Sequence, residues 1–167
     1  RVYITFALAL SLGFESSCEV MEFRITEDIP LSELEERIQK VMPEGLQIVK
    51  VYYPVMKMKD ISFSDFSIRF TTENPTELLT EFNKIITYKK NKKKQLVETD
   101  LKPHINVLNT SLEDNCLIVS VRLPAGNSLN INPSLIGDKF METCGVAISN
   151  VHYTRDKILN ADGKDFI

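Results

Sequence analysis

Four polar side chains crowd a short stretch near the start of the chain: Glu15, Ser16, Glu19 and Glu22. Carboxylates spaced like this around a turn can hold a cation or share general acid–base work. The plainer reading is the polar face of an exposed turn and strand, with Glu22 beside Arg24 on one side. Ser16 becomes a nucleophile only next to a base, and neither histidine is near it in sequence. The two histidines, His104 and His152, lack a local ligand partner, so they are weak metal ligands. His152 lies near Arg155, and that corner could contact an anion. Its plainer reading is an ordinary surface position at a strand end.

The strongest electrostatic feature is the run Tyr88, Lys89, Lys90, Asn91, Lys92, Lys93, Lys94. Its five ammonium groups can neutralise phosphates of RNA, and Tyr88 can stack on a base. Against this stand the overall formal charge of −3 and the lack of a ribonucleoprotein-type aromatic motif. A solvated hairpin tip that keeps a sheet edge soluble explains the lysines equally simply.

Cys18, Cys116 and Cys144 are odd in number and far apart, with no Cys-x-x-Cys pair. That excludes a disulfide framework and gives no zinc or iron–sulfur motif. A four-iron cluster needs closely spaced cysteines, which this chain lacks. No metal site and no cofactor are therefore expected on this chain. Cys116 and Cys144 are expected as small core residues. Reduced thiols fit a cytoplasmic protein.

Two stretches a hundred residues apart carry one pattern and must position these groups. Gly45, Ile48 and Val51 share a register with Gly145, Ile148 and Val151. Each set follows a helical pattern, and each helix follows a strand-like run, residues 19–25 or 116–123. In the first unit, Met21, Phe23 and Ile25 alternate with Glu22 and Arg24. Ser32 is expected to cap the helix, with Glu35 completing a capping box. Leu34, Ile38, Val41 and Met42 form its apolar stripe, and residues 46–53 are expected as a strand.

Residues 54–60 read as a linker. Residues 63–72 alternate again, with Phe66, Ile68 and Phe70 on one face. Asn74, Pro75 and Glu77 open a helix carrying Leu78, Leu79, Phe82, Ile85 and Ile86. A short strand is expected at 96–101, a short helix or turn at 103–108 and a polar turn at 110–115. A third helix starts at Asn132 and Pro133, carrying Leu135, Ile136, Phe140 and Met141. The last strand is expected at 147–154, followed by a frayed polar tail. The fold class is α+β, with two ferredoxin-like strand–helix–strand halves on antiparallel or mixed sheets. The halves are placed at residues 1–57 and 58–167, the first incomplete at its N-terminus.

The hydrophobic fraction of 43% and charged fraction of 26% are those of a globular protein able to bury a core unaided. No apolar run is long enough to span a membrane, and no membrane partner is expected. Residues 2–13 resemble a signal-peptide core in composition. Thr5 and Ser11 interrupt them, acidic residues follow at once, and a strand is the better reading. The sequence opens at Arg1 inside this apolar run, so further sequence is expected upstream.

The segment from Thr5 to Ser16, Thr-Phe-Ala-Leu-Ala-Leu-Ser-Leu-Gly-Phe-Glu-Ser, followed by Glu19-Val20-Met21-Glu22, resembles the radical SAM-linked proteins. These are bacterial proteins of unknown function encoded beside, or fused to, a radical SAM (S-adenosylmethionine) protein. Met42-Pro43-Glu44-Gly45-Leu46, Asp100-Leu101-Lys102-Pro103 and the closing Val151-His152-Tyr153-Thr154-Arg155 extend the resemblance. Ser11 stands where that family usually has Pro, and Glu22 where it usually has Asp. The resemblance implies a radical SAM partner and no known reaction. The leading expectation is thus an accessory domain for docking or substrate presentation. The alternative is an RNA-binding module using Tyr88, the lysines 89, 90 and 92–94, Arg155 and a sheet surface. A third is an enzyme with Glu15, Ser16 and Glu19 in one cleft.

Overall fold

The computed structural model describes residues 3–82, 89–90, 96–97, 102–126 and 129–167. Strands are β1 (Ile4–Phe6), β2 (Glu15–Ser16), β3 (Met21–Phe23), β4 (Ile61–Thr71), β5 (Lys89–Lys90), β6 (Leu96–Val97), β7 (Asn106–Glu113), β8 (Cys116–Pro124) and β9 (Asn150–Asn160). Helices are α1 (Leu31–Gln39), α2 (Pro75–Phe82) and α3 (Ser134–Thr143). The protein is α+β, as its alternating elements imply.

Residues 61–160 make one ferredoxin-like unit. Its strands lie in the order β9-β4-β8-β7, and β4 is antiparallel to both β8 and β9. β7 in turn runs antiparallel to β8. Hence α2 leads from β4 to β7 and α3 from β8 to β9, each crossing over one intervening strand. This is the split strand–helix–strand topology. The ladder follows from alternation: Leu117, Val119, Val121 and Leu123 are buried on one face of β8, with Cys116, Ile118, Ser120 and Arg122 on the other. On the buried face Phe66, Ile68 and Phe70 meet α2 through Leu78 and Phe82 and α3 through Ile136 and Phe140. Phe140 packs edge-on against Phe70 at 5.0 Å and Phe82 at 5.5 Å between ring centroids. α3 approaches the sheet closely at Gly137, where any Cβ would fall on the Tyr153 hydroxyl. Ile85 and Ile86 lie outside the described residues.

The first half departs from the expected repeat. β3 pairs antiparallel with β1, and α1 follows. Residues 46–53 then run without joining a ladder. Side chains of α1 take up their backbone groups instead: Glu35 accepts from the Val51 N–H at 3.2 Å, and Gln39 from the Ile48 N–H at 2.7 Å. That use of Glu35 also replaces the expected capping box. α1 begins at Leu31 with Pro30 as its cap residue and no side-chain cap bond, so Ser32 lies inside the first turn. Only the first part of the α1 stripe is covered: Leu34 is buried and Val41, beyond the helix end, is 78% exposed.

Three further segments differ from expectation. The 110–115 turn is shorter, because β7 extends to Glu113 and Asp114 alone takes positive φ (+45°) to reverse the chain. The segment 54–60 is docked: Met56 donates its N–H to the Ile167 carbonyl, and Met56 and Met58 pack beside buried Phe166. The tail is also held, because β9 continues to Asn160 and Phe166 returns to bond Ile158 at 2.8 Å. Apolar Ile158, Leu159 and Phe166 outweigh the polar residues around them. Among the described residues no helix is long and apolar enough to cross a membrane.

Candidate functional site

The acidic block is brought to the outer edge of the main sheet. β2 adds parallel to β9, setting Glu15 opposite Thr154 and Ser16 opposite Arg155. The N–H of Ser17 continues the pairing to the Arg155 carbonyl. This covers an edge that would otherwise present unpaired backbone to water. β2 ends at Ser16, and beyond it the block divides.

Glu15 takes the open face, where its carboxylate lies 3.1 Å from His152 Nε2 at an exposed position. Glu19 is itself exposed, and its Oε1 accepts from Nη1 of the buried Arg155 at 2.6 Å. Arg155 is only 5% exposed. Its other donors reach the carbonyls of Leu8 (3.4 Å) and Ala9 (3.0 Å), and its guanidinium lies 5.4 Å from the Phe66 ring centroid. Nε alone finds no partner. Phe14 stacks on Tyr153 at 4.5 Å just beside it. A buried guanidinium is stable only with its charge matched and its donors engaged. Glu19 matches the charge and the loop carbonyls engage the Nη donors, leaving Nε unmatched, so Arg155 staples the N-terminal block to β9.

Ser16 has no base. Its Oγ lies 3.6 Å from Cys18 Sγ and accepts the Cys18 N–H. Burial pushes the Cys18 thiol up, a shift that the Ser16 hydrogen bond partly offsets. Glu22 sits in β3 opposite Thr5, and Arg24 lies 5.0 Å over the Tyr3 ring. The four residues that sequence grouped thus serve three separate local structures. Among the described residues no three His, Cys, Asp or Glu side chains gather as metal ligands would. Cys18, Cys116 and Cys144 are free thiols, each half-buried. Cys144 packs against the main core as expected of a small apolar residue, whereas Cys116, opposite Thr71 on the open face, belongs to neither core cluster.

The lysine run is an insertion between α2 and β7. Lys89 and Lys90 form β5 and pair with Val97 and Leu96. Tyr88, Lys92, Lys93 and Lys94 lie outside the described residues. Arg155, grouped with them as an anion contact, faces inward. The central open face of the sheet carries Asp65, Ser67, Arg69 and Thr71 on β4, opposite Arg122, Ser120, Ile118 and Cys116. No aromatic ring stands among these eight side chains.

Sequence reasoning missed one pair. Asp65, 7% exposed, receives Arg122 in a bidentate grip, Nε to Oδ1 at 2.7 Å and Nη2 to Oδ2 at 2.9 Å. The two lie in adjacent strands but 57 positions apart in the chain, so no local pattern joins them. The one available signal was a charge at an inner position of each alternating run.

Fold and site together define an α+β protein whose ferredoxin-like unit has its sheet edge closed by an N-terminal segment, with the polar block spent on that closure. The chain belongs to a family of uncharacterized proteins conserved in bacteria, DUF2344, whose profile matches residues 1–133. That span takes in the whole first half and the unit as far as β8. No curated protein and no solved structure matches the chain.

Proposed function

We propose that this protein is an accessory domain of a radical SAM system, which docks on the radical SAM protein or presents its substrate and brings no cofactor of its own. It would act in the cytoplasm, where its three thiols stay reduced. The observation that carries this reading is the apolar surface left on the first half. Val41, Leu46, Val49, Tyr53 and Val55 are all exposed within one stretch, Val49 by 83%. Apolar groups concentrated in this way favour a protein partner. The polar block, bound up in internal contacts, supports a structural role for its residues. Co-purification of the full-length protein with the radical SAM protein encoded nearby or fused to it tests the reading. Association that weakens in Val49→Lys and Tyr53→Lys is the expected result. Failure of the wild-type pair to associate overturns it.

A second reading, an RNA-binding module, draws support from the lysine run that lies between α2 and β7 in sequence. Single strands are bound through exposed rings and basic loops. Titration with single-stranded and structured RNA at two salt concentrations tests it. Replacing Lys89, Lys90, Lys92, Lys93 and Lys94 by Gln should abolish affinity and flatten the salt slope. No affinity in the wild type at low salt removes the reading.

A further inference from the structure

Away from the N-terminal block, a cleft of about 410 Å³ opens where β4, β8 and the start of β7 meet the turn after β9. One side is apolar, built from the cross-strand neighbours Phe63 and Pro124 together with Pro103. His104 and Asn106 line it beside Arg122, and Asn106 is the β7 partner of Arg122 in the ladder.

Arg122 is the organising group. Asp65 holds two of its nitrogens in one plane, which fixes the guanidinium against rotation. The remaining nitrogen, Nη1, points toward the turn at Gly163, where a Cβ would lie 3.5 Å from it. Gly163 adopts φ +74° and adds no side chain there, so this edge of the fork stays open. A positioned arginine with a free edge, an imidazole and an apolar wall make a site for a small anion attached to an apolar body. Asp162 lines the same cleft and repels an anion, so the charge is held on the Arg122 and His104 side.

We propose that this cleft binds a small molecule carrying a single carboxylate or phosphate on an apolar body, with Arg122 and His104 at the charge and Phe63, Pro103 and Pro124 against the body. The proposal is independent of both the docking and the RNA readings, since it uses neither the first half nor the lysine run.

The test is an NMR titration of the full chain with benzoate in one arm and inorganic phosphate in the other, following the amides of Asn106, Arg122 and Gly163. Saturable shifts at these amides are expected. Tighter binding of benzoate identifies a carboxylate ligand, and tighter binding of phosphate a phosphate monoester. His104→Ala, at an exposed position, should weaken binding by about tenfold, and Arg122→Lys, which keeps the charge beside Asp65 but loses the fork, by more. Absence of saturable shifts with both probes overturns the proposal. So does binding at these amides that His104→Ala leaves unchanged.

Discussion

The chain twice runs from an alternating strand through an amphipathic helix to a glycine, and the two passages end differently. After α3, Thr72 Oγ1 takes the Ala147 carbonyl at 2.7 Å and the Ser149 N–H reaches the Thr71 carbonyl at 2.9 Å, guiding residues 150–160 into the ladder beside β4. After α1, the N–H groups of Val51 and Ile48 go to the side chains of Glu35 and Gln39, and residues 46–53 join no ladder. The glycines differ as well: Gly45 has φ +88°, whereas Gly145 is not among the positive-φ residues. β-Propensity makes a segment fit for pairing, but a strand exists only where a neighbour offers free backbone groups. β4 offers them to β9, whereas among the described residues no strand takes up 46–53.

The sharpest way to break the contrast is to empty the core that only the second unit possesses. Phe140→Ala should cost about 3–5 kcal/mol in urea unfolding, because Phe70 and Phe82 both lose their edge contact. A cost below about 1 kcal/mol would show that α3 is not packed as described. Next, Arg155→Met cuts the staple between the halves. A loss of about 1–3 kcal/mol is expected, with faster hydrogen exchange at the Ser17 amide and little change at Ile68 in the middle of β4. Equal acceleration at both sites would mean that the block and the sheet open as one.

The repeat itself gives a matched pair. Ile148 packs against the main core, whereas its counterpart Ile48 belongs to neither core cluster. Ile148→Ala should destabilise by about 1–2 kcal/mol and Ile48→Ala by less than about 0.5. Equal losses in urea melts would mean that the two passages are alike after all. A further contrast lies at alkaline pH. Burial, with a lesser contribution from Asp138, pushes the Tyr153 phenol up to about 12. The folded protein therefore keeps a proton that the unfolded chain releases from about pH 10. Stability from this group is full below that pH and falls as pH rises toward 12, with a slope of at most about 1.4 kcal/mol per unit. Tyr153→Phe should flatten the wild-type slope in that window, and identical slopes would place the phenol in water.

Much of the architecture was legible because it rests on local periodicity. Phe66, Ile68 and Phe70 announce β4, and Pro75 with Leu78 and Phe82 announce α2. The limits of the reading were equally physical. Ser32 and Glu35 spell a capping box, yet Glu35 is drawn to Val51 sixteen positions on. The polar tail looked loose because burial of Phe166 depends on Met56 and Met58, more than a hundred residues away. At the candidate site, sequence grouped Glu15 with Glu19. Glu15, in β2, points to His152, and the turn that follows the strand carries Glu19 to Arg155 instead.

By itself the sequence determined the α+β class, the alternating strands, the helical stripes and the scatter of the thiols, since each is a property of neighbours along the chain. Tertiary structure alone decided that β2 closes the edge of β9, that Arg155 turns inward to Glu19, that residues 46–53 stay unpaired and that Asp65 grips Arg122. These outcomes depend on which backbone edge or charge a distant segment meets when the sheet assembles. Spacing along the chain does not encode such meetings, because they join residues that only the folded topology makes adjacent.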